Sequence, residues 1–77
     1  MIKAIAYYSN VYYLPKRGYI DFPDGTPFER IVAELKRHIK YDQFMGADIY
    51  DSEGKCIAKI KYDFKVVPRK ENINAST

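Results

Sequence analysis

The chain has 77 residues, of which 47% are hydrophobic and 30% are charged, and its net charge is +3 at pH 7. This length excludes a second domain, because dividing the apolar residues between two cores would leave neither core large enough. A chain of this size buries only about 60% of its unfolded surface, so a partner, or a second copy in a homodimer, would add appreciable stability.

The single cysteine, Cys56, excludes an intramolecular disulfide and is typical of a reducing compartment, by default the cytoplasm. No apolar run approaches the roughly 20 residues that span a bilayer, and the first ten residues lack the pattern of a signal peptide. We therefore expect a soluble, unprocessed protein that makes no contact with a membrane.

The first 22 residues predict strands. Residues 2 to 9 are rich in strand-forming side chains on both faces, which is typical of an interior strand. Residues 11 to 22 predict either one strand interrupted by a basic loop at 15 to 18 or two very short strands, because Pro15 and Gly18 interrupt the pattern.

The segment that follows the turn at 23 to 25 predicts a helix. Thr26, Pro27 and Glu29 match a capping box, with threonine as the cap, proline at the first helical position and glutamate three residues after the cap. Gly46 is predicted to end the helical region. One apolar stripe at helical spacing is expected to pack on a sheet: Phe28, Ile31, Val32, Leu35 and Ile39.

The next segments predict a hairpin. A three-residue turn with a glycine bulge would place Ile49 and Ile57 on its lysine side, whereas a four-residue turn would send Ala47 and Ile49 to the core and is favoured because it buries more. Residues 56 to 66 alternate between a lysine-rich side and a predicted core side made of Cys56, Ala58, Ile60, Tyr62, Phe64 and Val66.

The order strand, strand, helix, strand, strand predicts a single two-layer α+β domain over residues 1 to 67, followed by a flexible tail at 68 to 77. The helix would cover one face of a mostly antiparallel sheet of four strands, or five if residues 11 to 22 form two. A ubiquitin-like β-grasp is similar in element order and is the alternative architecture.

Residues that could carry catalysis are isolated in the sequence. His38 stands alone four residues after Glu34, and Cys56 is predicted to face the core. The acids near the hairpin turn do not have the spacing of a calcium loop, and no glycine-rich phosphate loop is present. We therefore expect no enzymatic activity, no metal and no cofactor; RNA cleavage by lysine, arginine and tyrosine is the enzymatic alternative.

Basic residues concentrate towards both ends of the sequence. The net charge is +3 over residues 1 to 20, −4 over residues 21 to 54 and +5 over residues 55 to 70. These bases would form one surface if the first and last strands were neighbours, and a divided one otherwise. The candidate polyanion-binding residues are Lys3, Lys16, Arg17, Lys55, Lys59, Lys61 and Lys65.

Tyrosine is unusually frequent, with eight in the chain. Adjacent strand residues point to opposite faces, so each of the pairs 7–8 and 12–13 should send one ring outward. Exposed rings beside cations suit single-stranded nucleic acid, and tyrosine is also enriched at protein interfaces. The candidate stacking or interface residues are Tyr7, Tyr12, Tyr13, Tyr19 and Ile57.

Two functions are consistent with these patterns. The first is a small non-enzymatic module that binds a polyanion, most plausibly nucleic acid, through a lysine and tyrosine sheet face and the basic loop. The second is a regulator or inhibitor of the kind that phages and mobile elements encode, which docks on an acidic protein surface and depends more on Tyr12, Tyr13 and Ile57. The lysine face is otherwise the solvated side of a sheet, with edge lysines that prevent aggregation.

Overall fold

The computed structural model describes residues 1–9 and 15–69. Five antiparallel strands form one sheet in the spatial order β2-β1-β3-β4-β5, and one helix packs on it. The predicted two-layer α+β class is confirmed. The elements are β1 (Ile2–Ser9), β2 (Pro15–Phe22), α1 (Phe28–His38), a 3-10 turn (Tyr41–Gln43), β3 (Phe44–Tyr50), β4 (Cys56–Ile60) and β5 (Val66–Pro68).

The core lies between α1 and the sheet face that it covers. Alternate strand residues point to this face, as the burial of Ile2, Ala4 and Ala6 on β1 shows. The apolar stripe of α1 is confirmed, because Ile31 and Leu35 are fully buried and its other members are half-buried. From the remaining strands and loops the core takes Phe22, Phe44, Ala47, Ile49, Ala58, Ile60 and Phe64.

The predicted capping box is wrong. The Thr26 hydroxyl donates to the Pro23 carbonyl at 2.6 Å, within the preceding turn, and α1 begins at Phe28 with Pro27 as its N-cap and without a side-chain cap. Pro27 is extended, with a ψ of 149°, so the helix starts one residue later than the box requires, and its carbonyl accepts from the N–H groups of Arg30 and Ile31. The turn around Pro23 therefore uses the threonine that the sequence assigns to the helix.

The helical region also ends earlier than predicted. α1 stops at His38, Ile39 is already extended, and Gly46 lies inside β3. Its φ of 130° falls in the region that favours glycine, at the point where β3 bulges against β1 between the partners of Tyr7 and Tyr8. Gly46 therefore shapes a strand and does not terminate a helix.

The predicted basic loop at 15 to 18 is a continuous part of β2. Pro15 is the first residue of the strand, where proline is tolerated, and Gly18 pairs with Ala6. A Cβ atom at Gly18 would lie 3.4 Å from a ring carbon of Tyr8, so the tyrosine ring packs over the glycine. Residues 10 to 14 and 70 to 77, which include Tyr12, Tyr13 and most of the predicted tail, lie outside the described residues.

The hairpin between β3 and β4 combines both predicted alternatives. Its turn has three residues closed by Gly54, with Asp51 N–H donating to Lys55 C=O at 2.9 Å, yet Ala47 and Ile49 are buried as expected for the longer turn. An irregularity between the partners of Ile49 and Tyr50 supplies the missing residue.

The strand predicted at 56 to 66 is broken into β4 and β5 by a second hairpin. Lys61 N–H donates to Lys65 C=O at 2.9 Å, and Phe64 takes the left-handed position with a φ of 66°. Tyr62, predicted to face the core, lies in this turn and is 67% exposed. Cys56, also predicted to face the core, is half-buried and pairs with Tyr50, which alternates with the buried Ile49 and so points to the opposite face.

Candidate functional site

The sheet face opposite α1, here called the open face, carries most of the candidate residues. Pairing brings together residues that alternate with the core positions, because cross-strand partners share a face. By this register the open face includes Lys3, Ile5, Tyr7, Arg17, Tyr19, Asp21, Asp48, Tyr50, Lys59 and Val67.

Tyr19 is the centre of the β1/β2 half of the open face. It pairs with Ile5 and is 57% exposed. The Lys3 Nζ atom and the Arg17 Cζ atom each lie 5.9 Å from the centroid of its ring. This distance allows a cation–π contact with each cation, so two positive charges lie next to an aromatic residue that stays more than half exposed.

A shallow cleft adjoins this cluster at the end of the open face. It has a volume of about 430 Å³, and its walls include Lys3, Ile5, Asp21 and Tyr50. Partial burial, and then the negative charge of Asp48, raise the pKa of Tyr50, so its hydroxyl stays protonated over the physiological range. The cleft thus offers a neutral hydroxyl and an aromatic edge beside the Lys3 ammonium group and the carboxylates of Asp21 and Asp51.

The hairpin of β4 and β5 carries the second group of bases. Lys61 and Lys65 face each other at the turn, next to the core pair Ile60 and Val66, and alternation places them on the open face with Lys59. The Lys65 Nζ atom lies 4.0 Å from the nearer carboxylate oxygen of Asp63, a weak surface pair, and Lys65 is 78% exposed. Arg69, two residues beyond Val67, extends the same row.

Strand β3 separates the two groups of bases. Asp48 lies between them, 20% exposed, with the Lys59 Nζ atom 3.5 Å from its Oδ1 atom and the Tyr7 hydroxyl donating to its Oδ2 atom at 3.4 Å. β1 and the last two strands are therefore not neighbours. The predicted basic surface is divided by one carboxylate that partly neutralises Lys59.

Some candidate residues lie away from the open face. Lys16 pairs with Tyr8 and so belongs to the helix side of β2, away from its neighbour Arg17. Lys55 closes the turn at the opposite end of β4 from Lys61. Ile57 alternates with the buried Ala58 and so lies on the Lys59 side of β4, but it is half-buried at the strand irregularity and packs against the core, which leaves it little surface for a partner.

Sequence reasoning missed Asp48, Tyr50 and Arg69 as parts of the site. Asp48 alternates with Ala47 and Ile49, so the favoured register already implied that its carboxylate shares the lysine face. Tyr50 lies two residues after Asp48, so the same register implies that its ring shares this face. The sequence pattern places Arg69 in the predicted tail, whereas in the structure its N–H donates to Ile57 C=O at 3.0 Å.

Comparison with known proteins adds no family and no structural relative. No family model, no curated protein sequence and no solved structure matches the chain. The β-grasp-like alternative therefore gains no support. Within residues 1–9 and 15–69, no helix is both long and apolar enough to cross a bilayer.

Proposed function

We propose that this protein binds single-stranded nucleic acid across the open face of its sheet. The observation that carries the proposal is the exposed ring of Tyr19 beside Lys3 and Arg17, each 5.9 Å from the ring centroid. A base can stack on an accessible ring, and the flanking cations can neutralise the phosphates on either side of that base. This is sequence-tolerant recognition, because every base has a π face.

The second group of bases extends the binding path. Strands lie about 4.8 Å apart, so four steps separate β2 from β5 by roughly 19 Å. A nucleic-acid strand with one base stacked on Tyr19 would cross β3 and reach Lys61, Lys65 and Arg69 on the hairpin of β4 and β5. Lys59 contributes less than its position in the sequence suggests, because Asp48 lies 3.5 Å from its ammonium group.

Fluorescence anisotropy with labelled single-stranded DNA and RNA, in about 50 mM salt, tests this function. We expect Lys61→Glu to weaken binding and to reduce the slope of log affinity against log salt by about one. Tyr19→Leu should weaken binding with little change in that slope, because it removes stacking and not charge.

Arg30→Glu is the matched control, because it makes the same charge change at an exposed residue of α1, on the side of the sheet away from the open face. It should leave affinity nearly unchanged. Absence of binding to both nucleic acids, or equal losses in Lys61→Glu and Arg30→Glu, would exclude the open face as the site.

A protein partner is the second candidate, favoured by the position of Asp48. A carboxylate between two basic groups interrupts a phosphate path but suits a protein surface of mixed charge. Affinity purification with nuclease treatment distinguishes the two. A specific partner that survives the nuclease and is lost in Tyr19→Leu supports this candidate, whereas recovery of only nuclease-sensitive material contradicts it.

A further inference from the structure

Strand β2 forms one edge of the sheet among the described residues, and the direction of its backbone groups follows from the hydrogen bonds. In an antiparallel sheet, one residue points its N–H and C=O to one neighbouring strand and the next residue points them to the other. The bonds Arg69 to Ile57 and Lys61 to Lys65 direct the odd-numbered residues of β4 towards β5. Its even-numbered residues therefore face β3.

The registers carry this alternation across the sheet. Residues 47 and 49 of β3 face β4, residues 48 and 50 face β1, and the partners of 48 and 50 are residues 5 and 3. Residues 4 and 6 of β1 must then face β2, where they pair with residues 20 and 18. The N–H and C=O groups that point outward from β2 consequently belong to Arg17, Tyr19 and Asp21.

The opposite edge of the sheet is closed to such pairing. By the same alternation, Val66 and Pro68 point outward from β5, and proline has no N–H to donate. β5 is also only three residues long, whereas β2 has eight. Short strands and outward prolines are the usual protection of a sheet edge, and β2 has an outward proline only at its first residue, Pro15.

We propose that β2 is a self-association surface, on which the β2 strand of a second copy pairs antiparallel about a two-fold axis at Tyr19. This register sets Arg17 opposite Asp21 of the second copy, Tyr19 opposite Tyr19, and Asp21 opposite Arg17. All outward N–H and C=O groups of these three residues are then paired, and the two sheets become one sheet of ten strands.

Charge complementarity supports a second copy of the chain as the partner that pairs with β2. Arg17 and Asp21 are both exposed on the open face, and the two-fold axis brings them together twice. Opposite charges directly across two strands stabilise a sheet. A register shifted by one pair towards the N-terminus would instead set Asp21 opposite Pro15, which loses both a charge pair and an N–H donor.

Shape on the helix side fits the same register. It sets Ile20 opposite Gly18 of the second copy. Gly18 borders a cleft of about 290 Å³ whose other walls include Ala6, Tyr8 and Ile39. The Tyr8 ring covers Gly18, so the isoleucine of the second copy would approach the cleft beside this ring, and the contact would bury apolar surface on both copies.

Sedimentation velocity over protein concentrations up to about 1 mM tests the pairing by charge exchange. The native chain should show a dimer of twice 9.0 kDa. Arg17→Asp and Asp21→Arg should each weaken association at least about tenfold, because like charges then face each other across the axis. The double variant Arg17→Asp/Asp21→Arg should restore the dimer. A native chain that is monomeric throughout, or single variants that associate as well as the native chain, would overturn the proposal.

Cysteine cross-linking checks the position of the axis. In a Cys56→Ser background, Tyr19→Cys should form an intermolecular disulfide under mild oxidation, because residues directly opposite lie about 5.5 Å apart between Cα atoms. Val67→Cys, exposed on β5, is the control for random collision and should cross-link slowly. Equal cross-linking of the two variants would contradict this register. The result is independent of the proposed nucleic-acid binding, because neither measurement contains nucleic acid.

Discussion

Phe64 combines a backbone conformation that suits glycine with a side chain that the core requires. Its φ of 66° is left-handed, and it holds the position in the second hairpin that Gly54 holds in the first. Its buried ring stacks on Phe44 with centroids 4.1 Å apart and an interplanar angle of 9°. The Lys36 Nζ atom lies 5.4 Å from the centroid of the same ring. Packing therefore holds the residue in a conformation that its backbone disfavours.

This conflict predicts an inverted order of stability for two substitutions. Phe64→Ala should lower the free energy of unfolding by about 3–5 kcal/mol, since it loses the ring and keeps the strained φ. Phe64→Gly loses the same ring but gains back about 1 kcal/mol or more, because glycine adopts a left-handed φ without strain. Urea unfolding measures both values.

The control pair for Phe64 is Val66→Ala and Val66→Gly in the adjoining strand. There the usual order should hold, with the glycine variant the less stable, because an extended residue gains nothing from glycine. If Phe64→Gly were less stable than Phe64→Ala, the left-handed conformation would not carry a measurable cost.

At the scale of elements, the pattern of apolar residues predicts α1 and its buried stripe, because helical spacing depends only on local sequence. It does not predict where strands shift register. The three-residue turn at Gly54 would turn Ile49 outward, and only the added residue near Cys56 returns it to the core. Such an irregularity is selected by burial across several strands, so no local signal near Cys56 announces it.

The bulge at Gly46 gives a prediction at this scale. Gly46 has a φ of 130°, and a Cβ atom there would lie 3.1 Å from the backbone oxygen of Ile60. Gly46→Ala should therefore lower the free energy of unfolding by about 1–3 kcal/mol. Gly18→Ala is the control, because its Cβ atom would lie 3.4 Å from Tyr8, an ordinary contact, and it should be neutral or slightly stabilising. If Gly46→Ala and Gly18→Ala lost the same amount of stability in thermal denaturation, β3 would not need glycine at the bulge.

At the scale of the whole molecule, strand order decides how the charges are arranged. The sequence predicts that both ends of the chain are basic, but β3 inserts between β1 and the β4/β5 hairpin and brings Asp48 with it. Strand order depends on pairing between segments far apart in the chain, and no short pattern in a single sequence predicts that pairing. The sequence could therefore predict which residues are basic, and which face of their strand they share, but not that they form two groups.

The second group of bases, on the hairpin of β4 and β5, has two lysines directly opposite each other, and this arrangement lowers the stability of the protein. Lys61 and Lys65 are joined by a backbone hydrogen bond of 2.9 Å, and like charges at such positions repel. Lys61→Glu replaces this repulsion with attraction, so it should raise the free energy of unfolding by about 0.2–1 kcal/mol while it lowers the affinity for nucleic acid. Lys61→Gln should fall between the native chain and Lys61→Glu in both measurements. The native chain, Lys61→Gln and Lys61→Glu should therefore rank in one order for thermal stability and in the reverse order for affinity measured by anisotropy. The reason is that a polyanion would neutralise the same charges that repel each other in the free protein. If both quantities fell together, the lost affinity would reflect a damaged hairpin, and Lys61 would have no direct contact with the ligand.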